Sequence, residues 1–407
     1  MKEKASTTSL FPPLVAAVAE ALEQIFLGGR YADKVIEQVL RQDPRRGARD
    51  RAFIAAHTYD IVRWYRLLTA ALGYEPQDRA GFYALFGAHW LLSGAKLPAW
   101  REFATLDAQQ LLAAREALLR EPAIAESIPD WLEALGREQL GGLWPATIHA
   151  LNQPAQLVVR VNRLKADKET VSKLLEKEGS QLRDLPGDAL LLTERRNLFQ
   201  SEAFRRGWIE VQDFSSQQVA PFVQAQPGMR VIDACAGAGG KSLHLAACMH
   251  NKGQLIALDT EAWKLSNLRQ RARRAGAHII DSRPIENTKI LKRLHESADR
   301  LLLDVPCSGL GVLRRNPDAK WKLSPDFIAQ VQQTQQDLLV RYSSLCKAGG
   351  KMVYATCSIL PSENQQQVVK FLAHEAGKKF DLEEERVILP QDEGFDGFYM
   401  ARLSRRG

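Results

Sequence analysis

Arg230-Val-Ile-Asp-Ala-Cys-Ala-Gly-Ala-Gly-Gly-Lys-Ser242 decides the fold: a short apolar run passes straight into a glycine-rich turn. The run has the length and branching of a buried strand. Gly237, Gly239 and Gly240 let backbone approach a ligand where a Cβ would stand in the way. The same texture repeats downstream. Strands are expected at 230–234, 254–258, 278–280, 300–304 and 350–355, and helices at 240–249, 262–275, 286–297 and 324–346. Nearly continuous apolar strands alternating with helices indicate a parallel, doubly wound α/β sheet of Rossmann-like type over 211–407. Ligands of such sheets gather at the carboxyl ends of the strands.

Towards the N-terminus the texture changes. Gln156-Leu-Val-Val-Arg-Val-Asn162 and Ala189-Leu-Leu-Leu-Thr193 read as strands, and 167–178 and 198–207 as helices, giving a small α+β module of β-α-β type over 151–210. Residues 1–150 read as all-helical. Leu14, Val18, Leu22, Ile25 and Phe26 line one face, and amphipathic stretches follow at 32–42, 48–72, 79–93 and 107–119.

The 407 residues, 45% apolar and 25% charged, supply core for several domains, and the net charge of +7 suits a polyanionic partner. Cys235, Cys248, Cys307, Cys346 and Cys357 form no Cys-x-x-Cys pair, so no metal site is expected. Met1-Lys2-Glu3-Lys4 and the apolar stretch after it imitate a signal peptide, but Pro12, Pro13, Glu20 and Glu23 interrupt it. With no run long enough to span a membrane, a cytoplasmic monomer is expected.

Three ligands compete for the glycine turn. A phosphate loop needs glycine where Cys235 stands, and a dinucleotide fingerprint needs glycine where Ser242 stands. What remains is the amino-acid end of S-adenosylmethionine, held by Cys235, Ala236, Gly237, Ala238, Gly239, Gly240 and Lys241; the alternative is a plain strand-to-helix turn. Asp259, ending the second strand, is placed to accept from ribose hydroxyls. Asp281, after the third, can reach an adenine amino group or cap a helix. Asp304-Val-Pro-Cys-Ser-Gly309 and Ala355-Thr-Cys-Ser-Ile359 bring Cys307 and Cys357 to the same rim. A thiolate there can add to carbon 6 of a cytosine and make carbon 5 nucleophilic. Lys241 would favour the thiolate, and Asp304 suits the N3 and amino edge of the base.

These residues resemble the Sun/Nop (RsmB-like) family of RNA cytosine-5 methyltransferases. The resemblance spans 154–407 and rests on an ordered set of stretches. They are Gln212-Asp-Phe-Ser-Ser-Gln217, the glycine turn, Leu302-Leu-Asp-Val-Pro-Cys-Ser-Gly-Leu-Gly311, Arg314-Arg-Asn-Pro-Asp-Ala-Lys-Trp321, Ala355–Ile359 and Gly394-Phe-Asp-Gly-Phe398. It implies S-adenosylmethionine as methyl donor, Cys357 as nucleophile and Cys307 as the residue that assists product release. It also implies cofactor contacts at 235–241, Asp259, Asp281 and Asp304. Ala238 departs from the proline usual in that family. Residues 1–150 resemble, more faintly, its NusB-like RNA-binding domain. Small-subunit ribosomal RNA is the expected substrate. Transfer RNA, a non-catalytic assembly factor and DNA methylation are the alternatives. Arg269, Arg271, Arg273 and Arg274 read as a solvated helix face. Arg314, Arg315, Lys320 and Lys322 around Trp321 read as RNA contacts.

Overall fold

The computed structural model describes residues 10–194 and 196–407, so the signal-like start lies outside the described residues. The chain forms two compact units. One takes residues up to Asn152 together with Arg315–Leu323; the other takes Gln153–Arg314 and Ser324–Gly407. The division is not a single cut, because 315–323, expected within 211–407, folds with the helical unit.

In that unit Pro12–Phe26, Ala32–Gln42, Ala48–Arg63, Tyr65–Leu72, Arg79–Leu92 and Ala108–Leu118 are helices, followed by Asp130–Leu140 and Trp144–Leu151. Pro12 starts the first without losing a backbone bond. The side chains of Asp78 and Asp107 cap two others. The stretch expected as one helix over 48–72 breaks at Trp64. Val15, Val18, Leu22, Ile54, Ile61, Phe82 and Phe86 form its fully buried centre.

The segment Arg315–Leu323 corrects the RNA-contact reading of Lys320 and Lys322. Trp321 donates through Nε1 to Val62 O at 2.7 Å and meets Tyr65 edge-on, centroids 5.8 Å apart. Lys320 is only 1% exposed, and its Nζ donates to Arg63 O at 2.7 Å and Asn152 Oδ1 at 3.1 Å. Burial, with Arg63 beside it, pushes that amine well below the ordinary lysine value. Asp318 accepts from Ala32 N–H at 2.9 Å and pairs with Lys322 at 3.5 Å. Arg314, in the other unit, is buried and donates to Gly394 O.

In the second unit, β1 (Leu157–Val161), β2 (Leu182–Asp184), β3 (Ala189–Leu192) and β4 (Ile209–Val211) form a sheet in the order β2-β3-β1-β4. Every pairing is antiparallel. The β-α-β expectation therefore missed two three-residue strands, too short to show a period. The helix expected at 198–207 is only Glu202–Arg205 after a tight turn. One face, with Val159 and Leu190, packs on Val171 and Leu175. The other, with Val158 and Leu191, packs on Phe214 and Phe395.

The large sheet holds β5 (Arg230–Asp233), β6 (Gln254–Asp259), β7 (Ile280–Pro284), β8 (Ala298–Asp304), β9 (Cys346–Thr356), β10 (Phe380–Ile388) and β11 (Phe398–Arg405). Their order is β10-β11-β9-β8-β5-β6-β7. The first five are parallel, as expected. The last two add an antiparallel edge that a purely parallel sheet does not have. The helix expected at 286–297 shrinks to Lys289–Arg293, and the strand expected at 278–280 starts at Ile280. Strand order reverses between β5 and β8, which opens a crevice at their carboxyl ends.

Replacing Trp321 by alanine should destabilise the helical unit by about 2 kcal/mol, because a half-buried aromatic and its hydrogen bond are lost. Urea denaturation measures this. Unchanged stability with weakened RNA binding would restore the surface-contact reading.

Candidate active site

Asp304 on β8 lies opposite Ala355 on β9, and Val305 N–H donates to Ala355 O at 3.0 Å. The residues that follow each strand therefore leave the sheet side by side. Cys307 and Cys357 emerge with their sulfurs 3.2 Å apart, both partly exposed. Gly311 N–H donates to Cys357 O at 2.9 Å, and Gly397 N–H donates to Gly311 O at 2.8 Å. A Cβ at Gly311 would stand 2.2 Å from Gly397 O and 2.7 Å from Cys357 O, so only glycine fits the crossing. The stretch Gly394–Phe398 thus ties the two cysteine loops together.

Lys241 reaches the same rim from the helix Gly240–Cys248, its Nζ 2.6 Å from Asp304 Oδ2 and 5.2 Å from the centre of the Phe398 ring. Burial pulls the Lys241 value down, but the Asp304 carboxylate, its hydrogen bond and nearby Cys357 outweigh it and leave the value raised. The ammonium is therefore kept charged beside the Cys357 sulfur. The hydrogen bond to Cys357, then burial, holds the Cys307 thiol well above its usual value. A pair of sulfurs this close shares one negative charge rather than carrying two. Below them Asp233, buried at the end of β5, accepts from Ser242 Oγ at 2.6 Å. Burial, reinforced by Asp304, raises its carboxyl to about 7 despite that bond.

The glycine turn is held through its backbone. Gly237 (φ 53°) and Gly239 (φ 85°) take left-handed conformations. Ala236 N–H donates to Leu258 O at 2.9 Å, and Gly237 N–H to Asp259 Oδ2 at 2.8 Å. Asp259 Oδ1 accepts from Glu261 N–H at 2.9 Å. Arg271 Nη1 donates to Ala238 O at 2.7 Å, and the fully buried Arg160 of β1 donates to Gly240 O at 3.0 Å. Glu210 of β4 pairs with Arg271 at 3.0 Å and also with Arg274. Arg271 thus braces the small module against the turn, and Arg274 ties its own helix to Glu210 and the Phe204 ring of that module, which corrects their reading as a solvated face; Arg269 and Arg273 are exposed. Cys235 turns its side chain towards the core, and burial pushes its thiol well up, so only its backbone serves the turn. Asp281 lies inside edge strand β7, opposite Ile256 rather than Asp259, and its Oδ2 is 2.5 Å from Arg283. It is set back from the rim where Asp259 and Asp304 end. Arg160, Glu210, Gly311 and Gly397 went unassigned in the sequence; a lone arginine or glycine carries no periodic signal.

Residues 220–404 match the family described as 16S rRNA methyltransferase RsmB/F. Residues 128–198 match its ferredoxin-like domain, a stretch that starts within the helical unit and stops short of β4. A relative in Synechocystis sp., named a probable ribosomal RNA small subunit methyltransferase B, is 31% identical over 92% of this chain and 95% of its own length. The chain belongs to the RsmB/F methyltransferase family. The Proteus mirabilis ribosomal RNA small subunit methyltransferase B is 34% identical over 68% of this chain and 66% of its own. The crystal structure of PH0851 shares the fold with a TM-score of 0.82 at 24% identity, covering 98% of this chain and 100% of that one. A methyltransferase homolog protein from Pyrococcus horikoshii covers 71% of this chain and 99% of its own at 25% identity, TM-score 0.63. Among the described residues no helix is long and apolar enough to cross a membrane, and no group of three or more His, Cys, Asp or Glu could hold a metal.

The raised Asp233 carboxyl has a consequence for pH. A folded state that holds this proton more tightly than the unfolded chain is favoured below the usual carboxylate value of 3.8 and loses that advantage as pH rises through about 7. Asp233→Asn keeps a partner for Ser242 and removes the loss. Its stability relative to the parent should rise between about pH 4 and pH 8, by up to about 4 kcal/mol. Urea denaturation at both pH values gives the difference, and a constant one contradicts the assignment.

Proposed function

We propose that this chain transfers a methyl group from S-adenosylmethionine to carbon 5 of a cytosine in small-subunit ribosomal RNA, with Cys357 as the nucleophile. The observation that carries this reading is the pair of sulfurs 3.2 Å apart beside the Lys241–Asp304 ion pair. A single nucleophile would not need a second thiol in contact with it. The family and the named relatives supply the class of substrate.

The donor site fits on its own chemistry. The backbone of 235–240 lies along it, and the carboxylates of Asp259 and Asp304, both partly exposed, suit ribose hydroxyls and a cationic donor. Each Asp259 oxygen keeps a lone pair beyond the amide it accepts. When bound, S-adenosylmethionine supplies an electrophilic methyl group.

The chain's own residues do the rest. The Cys357 thiolate bonds to carbon 6, and Asp304 holds the N3 and amino edge so that charge moving into the ring is met by hydrogen bonds. While Cys357 is charged, Cys307 keeps its proton, because it donates to that sulfur. Once Cys357 is bonded to carbon its charge is gone, and so is the chief cause that raised Cys307. Cys307 can then release its proton to solvent and take the one on carbon 5. The electrons of that C–H bond re-form the ring double bond, and the Cys357–carbon bond breaks to return the thiolate. One proton is lost per turnover, which balances the reaction. An unpaired target base is expected, since a stacked one must first be swung out. Exposed Arg163, Lys165, Arg205, Arg269 and Arg273 supply phosphate contacts.

Cys357→Ala should abolish both methyl transfer and covalent attachment to RNA. Cys307→Ala should stall after attack and accumulate a protein–RNA adduct, visible on a denaturing gel. An adduct formed by Cys357→Ala would reverse the roles.

A further inference from the structure

Glu363 lies in the turn Pro361–Glu363 and is completely buried. Its Oε1 accepts from Ser308 N–H at 2.7 Å and from Gln335 Nε2 at 3.0 Å. Its Oε2 accepts from Ser308 Oγ at 2.5 Å and from Ser358 Oγ. Ser308 and Ser358 each follow one of the two rim cysteines, and their hydroxyls are 3.3 Å apart. Each hydroxyl in turn accepts an amide two residues on, Leu310 N–H at 3.3 Å and Leu360 N–H at 3.1 Å. Gln335 also donates to Pro306 O at 3.0 Å, just before Cys307. Two Cys-Ser turns from different strands thus close on one carboxylate. A buried carboxylate is tolerated where its lone pairs are filled, and here three donors from the two loops and one from Gln335 on the helix Pro325–Tyr342 fill them.

We propose that Glu363 is the positioning residue for both sulfurs, fixing the spacing at which Cys307 can serve the adduct that Cys357 forms. The proposal rests on the two-cysteine reading above. Neither sulfur touches Glu363 directly; the clamp acts through Ser308 and Ser358. Its charge has a second effect, since it adds to the causes that keep the Cys307 thiol protonated, after the Cys357 hydrogen bond, burial and the Cys357 charge. A neutral side chain of the same size cannot satisfy the same four donors. Glutamine would turn its own amide donors towards the Ser308 and Gln335 nitrogens or towards the two hydroxyls.

The test uses the full-length chain and reads sulfur spacing independently of methyl transfer. Parent, Glu363→Gln and the milder Ser358→Ala are treated with diamide in competition with iodoacetamide, and products at Cys307 and Cys357 are mapped by mass spectrometry. In the disulfide reaction two thiol hydrogens pass to the diamide N=N bond, which is reduced to a hydrazine as the S–S bond forms. A change in thiol acidity alters alkylation and disulfide formation together, so their ratio reports spacing. The ratio of disulfide to alkylated product should fall at least about tenfold in Glu363→Gln. Its kcat should fall roughly a hundredfold, with KM for RNA changed less than about twofold. Ser358→Ala should show the same pattern more weakly, and it carries the test if Glu363→Gln does not unfold cooperatively. A parental ratio in both variants overturns the clamp. A Cys307→Ala chain that forms no RNA adduct while the ratio still falls in the Glu363 and Ser358 variants overturns the catalytic reading and leaves the clamp standing.

Discussion

Parallel pairing of β8 with β9, with Asp304 opposite Ala355, is the constraint on which the site depends. A slip of one residue would turn every side chain of a strand to the other face of the sheet. Asp304 would then leave Lys241, and the loops after the strands would no longer start level. The register is well specified because Leu301, Leu302 and Leu303 on β8 and Met352, Val353 and Tyr354 on β9 are all fully buried on one face or the other. Burying both faces of the sheet thus sets the positions of two sulfurs that are 50 residues apart in sequence.

Charge at the rim is arranged around the Lys241 ammonium. Lys241 faces the carboxylate of Asp304 directly and the Cys357 sulfur at longer range, while Asp233 beneath them is eased towards its neutral form. If Asp233 were also ionised, one cation would have to compensate two carboxylates and a thiolate in a water-poor space. Keeping one acid protonated reserves the field of Lys241 for the rim. At the sulfurs, the hydrogen bond between them holds the Cys307 proton in place.

The central strands, the glycine turn and the cysteine loops were legible because each is a local pattern: an apolar run, a cluster of glycines, a polar triplet after a strand. What escaped depends on partners distant in sequence. Phe380–Ile388 carries Asp381, Glu383, Glu384, Glu385 and Arg386, and reads as a solvated stretch until its place at the sheet edge is known. Charge there is what an edge strand needs to resist pairing with another chain. Arg402 and Arg405 interrupt the apolar pattern of β11, yet they are buried, paired with Glu383, Glu384 and Glu296. Arg271 and Lys320 show the same ambiguity. A basic residue beside an aromatic one looks alike in sequence whether it meets a phosphate or a backbone carbonyl inside a fold. The glycine turn was also only half legible. Its conformation follows from its own residues, but the arginines that hold its carbonyls come from β1 and from the helix Ala262–Ala275.

The excursion of Arg315–Leu323 into the helical unit has a consequence for how such a chain can be divided or inherited. Severed after Asn152, the N-terminal piece would lack a tryptophan and a lysine that complete its own interior. The remainder would carry those residues as an orphaned strap with nowhere to seat. Gene fusion or shuffling at that junction therefore faces a penalty that an ordinary beads-on-a-string protein escapes.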